Sequence, residues 1–427
     1  MIFEHCSSSV VTTTTFTTVL PDLGSTSCNI YVATANMSFF TWVKDVIGFG
    51  TLPSPPYSPA QLYSIVLASF KAWPFLIPVL SLINAPHGRF AFDSLLNING
   101  NLGWFIMEIP SPIFVLLGAL SKPLSTTVVK STSAGGILPP LSALFSPSIK
   151  QFFALPSANQ ALVVMFLVHY SHRAVLQPLR SPKRSPLHIS VPLSALAFNL
   201  INGFVMGSWL GGRTPWSALP QPAVASAALT AVGAKVGGTA SSVAASELAR
   251  KLVSTGAADV LGVGSPGLIS NSVWKSPLWY LGLAGWAIGF AGNVIHDEIL
   301  MDIRRPNKQT QRAKTPSNDT NVGKGSSARK YSIPRGALFE YISFPNYLCE
   351  WFEWFSFAFA ALYSLPIFKH LTAKDALATA LSTPPFLFPF VLVCLMAPRA
   401  TNGHKWYKKT FGDKFPRKRK AIIPFVF

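Results

Sequence analysis

Seven long apolar runs recur along this chain, and their length constrains the fold more than any other feature. They cover residues 62–83, 102–120, 158–176, 188–212, 276–296, 344–366 and 376–398. Several approach the roughly 20 residues that an α-helix needs to cross the hydrocarbon core of a bilayer. The runs lack the two-residue alternation of barrel strands, and backbone groups in lipid must be paired within their own segment. The pattern therefore predicts an all-α integral membrane protein, a bundle of seven transmembrane helices.

The charged residues are few, and the basic ones are clustered. Only 12% of the 427 residues are charged, whereas 49% are hydrophobic, and the net charge is +19. Lys and Arg gather in 173–190, in 298–335 and in the tail from Arg399, which are alternate connections and one end of a seven-span chain. The positive-inside rule then predicts a lumenal N-terminus and a cytosolic C-terminus. Because these basic residues flank membrane spans, we predict membrane lipid and not nucleic acid as their partner.

The regions outside the spans differ in composition. Residues 1–60 are rich in Ser, Thr and Pro, which predicts a mobile N-terminal segment before a membrane domain over 61–427. Within that domain, 212–270 is rich in small residues and is predicted to be a lumenal insertion, and 305–330 is predicted to be a flexible cytosolic loop. The four cysteines are far apart and the histidines form no repeated boxes, so we predict no disulfide framework and no metal site.

Ionisable residues inside membrane spans are costly and indicate functional sites. Glu108 is the only charged residue of the second apolar run and lies just before Pro110 and Pro112, which we expect to kink the helix. This pattern predicts an isolated carboxyl group that burial keeps protonated, able to donate a hydrogen bond to a carbonyl. The alternative is a glutamate at a helix end in the membrane interface.

Two further runs carry polar residues at helical spacing. In "FLVHYSHRAVLQPL", Tyr170 lies three residues before Arg173, and the alternative is an ordinary basic helix end. In "AGNVIHDEILMDIRRP", Asn293, Asp297 and Arg304 form one stripe from the membrane interior outward, and the alternative is a salt-bridged helix exit. Both runs are candidates for lining a polar cavity.

The sixth run and the tail complete the candidate set. Asn346, Glu350 and Glu353 lie at i, i+4 and i+7, and two carboxylates one turn apart in an apolar helix require a partner. The tail from Arg399 is basic and contains Tyr407, a composition that could equally bind anionic lipid headgroups. Amide and carboxylate groups can pair with a carboxamide, basic groups with phosphates, and Glu108 with Tyr170 could polarise a carbonyl. The sequence therefore predicts a cavity for an anionic cofactor and an apolar, carbonyl-bearing substrate.

Several of these segments resemble one known family. "NVIHDEILMDIRRP", "YSIPRGALFEYISFPNYLCEWFEW" and "KWYKKTFGDKFPRKRKAIIPFVF" resemble the C-terminal signature of the steroid 5α-reductase (3-oxo-5α-steroid 4-dehydrogenase) family. "GWFIMEIPS" and "VHYSHR" resemble its second and third spans. The resemblance implies an NADPH-dependent oxidoreductase of the endoplasmic reticulum membrane, a multi-pass protein that we expect to be monomeric and that reduces the C4–C5 double bond of a lipophilic 3-oxo-Δ4-steroid.

The resemblance also assigns roles to individual residues. It implies that Glu108 and Tyr170 hold the 3-keto oxygen while hydride passes to C5 and a proton to C4. It implies that the cofactor-binding residues are Arg173, Asn293, Asp297, Arg304, Tyr331, Asn346, Glu350, Glu353, Arg399, Tyr407 and Arg419.

Other functions remain open from the sequence. Related reductases of this fold act on long-chain enoyl thioesters or on polyprenols. An isoprenylcysteine methyltransferase-like enzyme would bind S-adenosylmethionine and would not need Glu108. A non-catalytic lipid or sterol binder would bind no cofactor.

Overall fold

The computed structural model describes residues 54–129, 136–236, 264–305 and 331–427. Most of the predicted mobile segment 1–60, most of the predicted loop 305–330 and residues 237–263 of the predicted insertion lie outside the described residues. The described residues are mainly helical. Their two strands, β1 (Asn97–Ile98) and β2 (Leu187–His188), form a short antiparallel pair with Asn97 opposite His188.

The α-helices of the described residues are numbered in chain order. They are α1 Pro59–Ala72, α2 Ile77–Leu82, α3 Gly100–Glu108, α4 Pro110–Leu120, α5 Leu141–Leu144, α6 Ile149–Ala154, α7 Ser157–Tyr170, α8 Gln177–Arg180, α9 Ser190–Leu210, α10 Gln221–Val236, α11 Pro277–Asp302, α12 Pro345–Leu362, α13 Ala373–Ala380 and α14 Pro384–Phe411. A π-helical turn, Ser171–Leu176, joins α7 to α8. Short 3₁₀ helices are Trp73–Leu76, Gly88–Phe90, Trp216–Ala218, Asn271–Lys275, Ala337–Glu340, Pro366–Phe368 and Gly412–Lys414.

Five helical segments within the described residues are long and apolar enough to cross a membrane. They are Pro59–Leu82, Gly100–Leu120, Ser190–Leu210, Pro277–Asp302 and Pro384–Lys414. The third and sixth predicted runs are also helical, but α7 has only 14 residues before the π turn, and α12 carries two glutamates that lower its hydropathy. The helical membrane fold is thus confirmed, whereas the count of seven spans and the orientation of the termini stay predictions.

Local sequence explains where several helices begin. Ser58 and Gln61 form a reciprocal capping box at α1, and Pro59 follows at the first helical position. Proline also starts α4, α11, α12 and α14, because its missing N–H falls among the amides that a first turn leaves unpaired. Glu108 ends α3, and Pro110 starts α4 after a single residue with helical dihedral angles, so the helix is interrupted where the prolines predict a kink.

A seam of glycines holds α11 against α12. The seam consists of Gly282, Gly285, Gly289 and Gly292. A Cβ atom at Gly289 would lie 2.5 Å from the backbone nitrogen of Glu353, and one at Gly282 would lie 2.8 Å from the Cβ of Ala360. Small residues at this spacing let two membrane helices approach backbone to backbone. The seam therefore sets the depth of the polar residues of α12 relative to those of α11.

The described parts of the predicted insertion pack as part of the bundle. In α10, Ala223, Val224 and Ala227 are buried, and Ser226 Oγ donates to the Pro366 carbonyl over 2.8 Å. Asn159 of α7 donates to the carbonyls of Leu210 and Gly267, both at 2.9 Å. One amide thus joins the end of α9, just before the predicted insertion, to the last residues of that insertion.

Candidate active site

A cavity of about 780 Å³, the central cavity, lies within the bundle. Its borders come from α3, α7, the π turn, α9, α11, α12 and α14. The volume is in the range of pockets that take whole small-molecule ligands. Ten of the predicted site residues border it: Glu108, Tyr170, Arg173, Asp297, Arg304, Tyr331, Asn346, Glu350, Arg399 and Tyr407. Asn293, Glu353 and Arg419 do not.

Arg173 lies among three carboxyl groups from three different helices. Its Nε is 3.5 Å from Glu108 Oε1, its Nη1 is 3.3 Å from Asp297 Oδ2, and its Nη2 is 4.0 Å from Glu350 Oε2. The expectation that Glu108 is an isolated carboxyl is therefore wrong, because the π turn brings a guanidinium to it. Sequence spacing within the second run could not show a partner that comes from the third.

The position of Arg173 is fixed by Trp104 on α3. The guanidinium carbon lies 4.7 Å from the centre of the indole ring, and the indole Nε1 donates to the Arg173 carbonyl over 3.2 Å. Arginine stacks readily on aromatic faces, so the same side chain can hold its charge while contacting carboxylates. The π turn that carries Arg173 is a rare element that occurs mostly at functional sites.

Two side-chain amides donate to Asp297, and two acceptors near it have no hydrogen-bond partner among the described residues. Gln177 Nε2 donates to Asp297 Oδ2 over 2.5 Å, and Asn346 Nδ2 donates to Oδ1 over 3.0 Å. Asn346 Oδ1 and Glu350 Oε2 are buried and have no hydrogen-bond partner among the residues that the structure describes. Leaving a buried acceptor unpaired costs about 1–3 kcal/mol. Two such acceptors at one cavity fit a ligand that donates hydrogen bonds, and the NH₂ group of a carboxamide has two donors.

Glu353 reaches the cavity only through another side chain. Its Oε1 lies 2.6 Å from His169 Nδ1, and His169 borders the cavity. The His169 ring lies beside Tyr170 and Trp354, with ring centres 5.1 and 4.7 Å away. Glu353 is thus placed to orient His169 and not to contact a ligand in the cavity.

The other two predicted residues outside the cavity are also buried. Asn293 lies one turn before Asp297 on α11, and its Oδ1 lacks a hydrogen-bond partner within the described part of the chain. Arg419 donates to the Pro334 carbonyl over 3.2 Å, and its guanidinium lies 5.4 Å from the centre of the Phe415 ring. Arg419 therefore anchors the tail against the segment that precedes α12.

Asn199 of α9 borders the cavity although sequence reasoning did not select it. The Tyr170 hydroxyl donates to Asn199 Oδ1 over 3.3 Å, and Asn199 Nδ2 donates to the Met107 carbonyl over 2.7 Å. Asn199 and Asn202 lie three residues apart in an apolar run, so the sequence does carry a pair of amides at helical spacing. A polar residue inside a membrane span also needs a partner, which is a second signal.

Basic side chains gather at one edge of the cavity, which we call the basic rim. The basic rim consists of Arg89, Lys183, Arg184, Arg304 and Arg399. Burial lowers the pKa of Arg184 to about 10, and the positive charges of Arg304 and Arg173 add to the effect. Burial also lowers the pKa of Arg304. None of these cations forms an ion pair with a carboxylate of the described residues, and such a group of cations fits the phosphate groups of a ligand.

Arg89 and His87 connect the segment before α3 to α14. The Arg89 guanidinium lies 4.6 Å from the centre of the Tyr407 ring and 5.0 Å from that of Trp406, and it donates to the Gly403 carbonyl over 3.3 Å. Arg399 hydrogen-bonds His87 Nε2. Burial, together with the charges of Arg399 and Arg89, lowers the pKa of His87 to about 3, so this imidazole is neutral and can accept from Arg399.

These features define a helical membrane protein with an internal cavity that combines carboxyl, phenol, amide and basic groups. The family model described as 3-oxo-5-alpha-steroid 4-dehydrogenase matches residues 265–427. An uncharacterized protein of Schizosaccharomyces pombe is 30% identical over 361 residues, which cover 82% of this chain and 94% of that relative. The chain belongs to the 3-oxo-5-alpha-steroid 4-dehydrogenase family, and the predicted resemblance is confirmed.

Two named relatives are more distant. Steroid 5-alpha-reductase DET2 of Solanum lycopersicum is 23% identical over 353 residues, covering 79% of this chain and all (100%) of the relative. Human 3-oxo-5-alpha-steroid 4-dehydrogenase 1 is 23% identical over 345 residues, covering 81% of this chain and 87% of the relative. Family membership indicates an oxidoreductase of the steroid 5-alpha-reductase type that acts on CH–CH bonds.

Proposed function

We propose that this protein uses NADPH to reduce the C4–C5 double bond of a 3-oxo-Δ4-steroid in the endoplasmic reticulum membrane. The observation that carries the proposal is the meeting of two kinds of group at one cavity. Glu108 and Tyr170, from α3 and α7, can bind a carbonyl, while Asn346 Oδ1 and Glu350 Oε2 are buried acceptors that no described residue hydrogen-bonds. The names of the tomato and human relatives support the substrate class, and the resemblance supports the cofactor and the compartment.

Glu108 and Tyr170 would stabilise the charge that the reaction creates. Adding hydride at C5 of an enone moves an electron pair toward the C3 oxygen, so donors that face this oxygen lower the barrier. The Tyr170 hydroxyl is one donor, and the Glu108 carboxyl in its protonated form is the other. Arg173 lies beside Glu108 and adds positive charge near the developing enolate.

The other polar groups of the cavity fit the cofactor. Asn346 Oδ1 and Glu350 Oε2 would accept hydrogen bonds from the nicotinamide carboxamide, and the basic rim would bind the phosphates. The number of arginines favours NADPH over NADH, because NADPH carries one more phosphate. When bound, NADPH would supply the hydride to C5 and a proton from water would add at C4. The reaction would consume NADPH and one proton and yield NADP⁺ and the saturated ketone.

The remaining lining fits a lipophilic substrate. Trp73, Leu76, Phe198, Leu392 and Leu395 border the cavity with apolar surface. Burying hydrocarbon there is favourable by about 0.8 kcal/mol per CH₂ group. Enoyl thioesters and polyprenols share this requirement, so the substrate assay must include them.

The test is an assay of purified protein in detergent with steroid enones, enoyl thioesters and polyprenols, each with NADPH and with NADH. Product formation is measured by mass spectrometry. We expect NADPH-dependent reduction of a 3-oxo-Δ4-steroid, and Glu108→Gln and Tyr170→Phe should each lower kcat/KM by at least about 100-fold while NADPH still binds. The matched control is Glu298→Gln, because Glu298 lies on α11 and pairs with Arg180 and Arg305 outside the cavity lining. Full turnover by Glu108→Gln would contradict the mechanism.

Two further arms separate the remaining interpretations. Binding of S-adenosylmethionine in place of NADPH would support the methyltransferase interpretation, which family membership does not favour. Absence of binding by either cofactor, with retained sterol binding, would support a non-catalytic binder.

A further inference from the structure

Asn199 connects the two groups that we assign to the substrate carbonyl. It lies on α9, which contributes none of the predicted catalytic or cofactor-binding residues, and it is buried with 4% of its surface exposed. Its side chain contacts Tyr170 on one side and the backbone of Met107, the neighbour of Glu108, on the other. One amide thus links α7 and α3 at the point where the proposed chemistry occurs.

The hydrogen bonds of Asn199 determine the direction of the Tyr170 proton. The Met107 carbonyl can only accept, so the NH₂ group of Asn199 must face it, and this leaves Oδ1 toward Tyr170. Because Oδ1 can only accept, the Tyr170 hydroxyl must be the donor. Asn199 Oδ1 is therefore an acceptor for the phenol proton in the ligand-free protein, beside the Ser111 side chain, which also hydrogen-bonds Tyr170.

The bond to Met107 stabilises a weak part of α3. Pro110 and Pro112 follow Glu108 and lack the N–H groups that would bond the Ile106 and Glu108 carbonyls of this turn. The 2.7 Å bond from Asn199 goes to the Met107 carbonyl between them and ties the turn to a different helix. Glu108 is in this way held relative to α9, the same helix that holds the Tyr170 hydroxyl.

We propose that Asn199 is a positioning residue that holds Tyr170 and the Glu108 turn in one arrangement and yields the Tyr170 proton to the substrate carbonyl. This inference rests on the proposed function. The 3.3 Å oxygen–oxygen distance is long for a hydroxyl donor, whose hydrogen bonds are mostly about 2.7–2.8 Å. A substrate oxygen that accepts at the shorter distance can therefore replace Asn199 at small cost, since a neutral hydrogen bond contributes only about 0.5–1.5 kcal/mol net.

The same helix offers a matched control. Asn202 lies less than one turn from Asn199, is fully buried, and donates to Ser111 Oγ over 3.3 Å. It does not border the central cavity. Replacing Asn202 by leucine removes a buried amide of the same helix and its one hydrogen bond to α4, and it leaves the Asn199 acceptor of Tyr170 in place.

The experiment compares Asn199→Leu with Asn202→Leu in detergent. We expect Asn199→Leu to lower kcat for the steroid enone about tenfold, because one positioning hydrogen bond is lost. The KM for NADPH should stay unchanged. Asn202→Leu should keep the wild-type kcat, although its thermal midpoint should fall by about as much as that of Asn199→Leu. Asn199→Asp, which keeps an acceptor toward Tyr170, should recover part of the lost kcat.

A second measurement separates positioning from general loss of structure. Asn199→Leu should change the thermal midpoint less in a Tyr170→Phe background than in the wild type, because the two side chains share one hydrogen bond. Wild-type kcat in Asn199→Leu, or equal loss in both asparagine variants, would overturn the inference even if Glu108→Gln and Tyr170→Phe are inactive. A wild-type protein without any NADPH-dependent steroid reduction would overturn the proposed function, and this inference with it.

Discussion

Glu353 and His169 form a buried pair in which Glu353 Oε1 lies 2.6 Å from His169 Nδ1, and neither side chain is more than 3% exposed. The pair joins α12 to α7 at the inner edge of the central cavity. A buried pair of this kind is sensitive to the loss of one partner, because the remaining polar group is left without solvent or protein to satisfy it.

We therefore predict that Glu353→Leu destabilises the protein by about 3–5 kcal/mol. Glu353→Gln retains an acceptor for His169 Nδ1 and should lose clearly less stability than Glu353→Leu. The measurement is thermal unfolding in detergent followed by tryptophan fluorescence. Equal losses in the two variants would show that volume and not the hydrogen bond matters at this position.

The glycine seam makes a prediction about packing. Gly289→Val should force α11 away from α12, because even a Cβ atom at Gly289 would lie 2.5 Å from the Glu353 nitrogen. We expect a loss of about 1–3 kcal/mol, typical of overpacking, measured by the same unfolding assay. Ala287→Val, on the exposed face of α11, is the matched control and should unfold like the wild type.

The unpaired acceptors make a prediction about cofactor affinity. Asn346→Leu removes one buried acceptor and one donor to Asp297, so KM for NADPH should rise about 10- to 100-fold, equivalent to about 1–3 kcal/mol. Asn402→Leu, outside the cavity lining, should leave KM unchanged. An unchanged KM in Asn346→Leu would place the carboxamide elsewhere.

His87 makes a prediction about pH. Its pKa falls from 6.5 to about 3 in the folded protein, so between these values the unfolded chain binds the extra proton. The stabilising contribution is complete above about pH 6.5 and is lost as the pH falls toward 3. His87→Gln should therefore show a smaller fall in thermal midpoint between pH 7.5 and 5.5 than the wild type, the two values being about one unit either side of the ordinary pKa. The same fall in both proteins would contradict the lowered pKa of His87 in the folded protein.

The sequence predicted the helical membrane fold because apolar length is a property of single segments. It also predicted ten of the polar and charged residues that border the cavity, because polar residues at helical spacing on one face point the same way. The position of a residue along the helix axis, relative to the cavity, was harder to predict. Glu353 lies seven residues after Asn346, about 10 Å farther along α12, where His169 and not the cavity meets it.

Contacts between helices distant in sequence could not be predicted from spacing. The partner of Glu108 is Arg173, 65 residues later, and its approach depends on a π turn that no sequence pattern announced. Asn199 was missed for the same reason, since both of its hydrogen-bond partners lie on other helices.

The π turn at Ser171–Leu176 holds one residue more than an α-helical turn, because its hydrogen bonds run from i to i+5. A single deletion that restores regular α-helix would therefore keep Tyr170 and Gln177 near their present faces but shift the register of the residues between them. Arg173, which now meets Glu108 and Asp297, would turn by up to the roughly 100° that one residue contributes. A chain of this length tolerates loss or gain of residues in many connections, but at these six positions the count itself is part of the site.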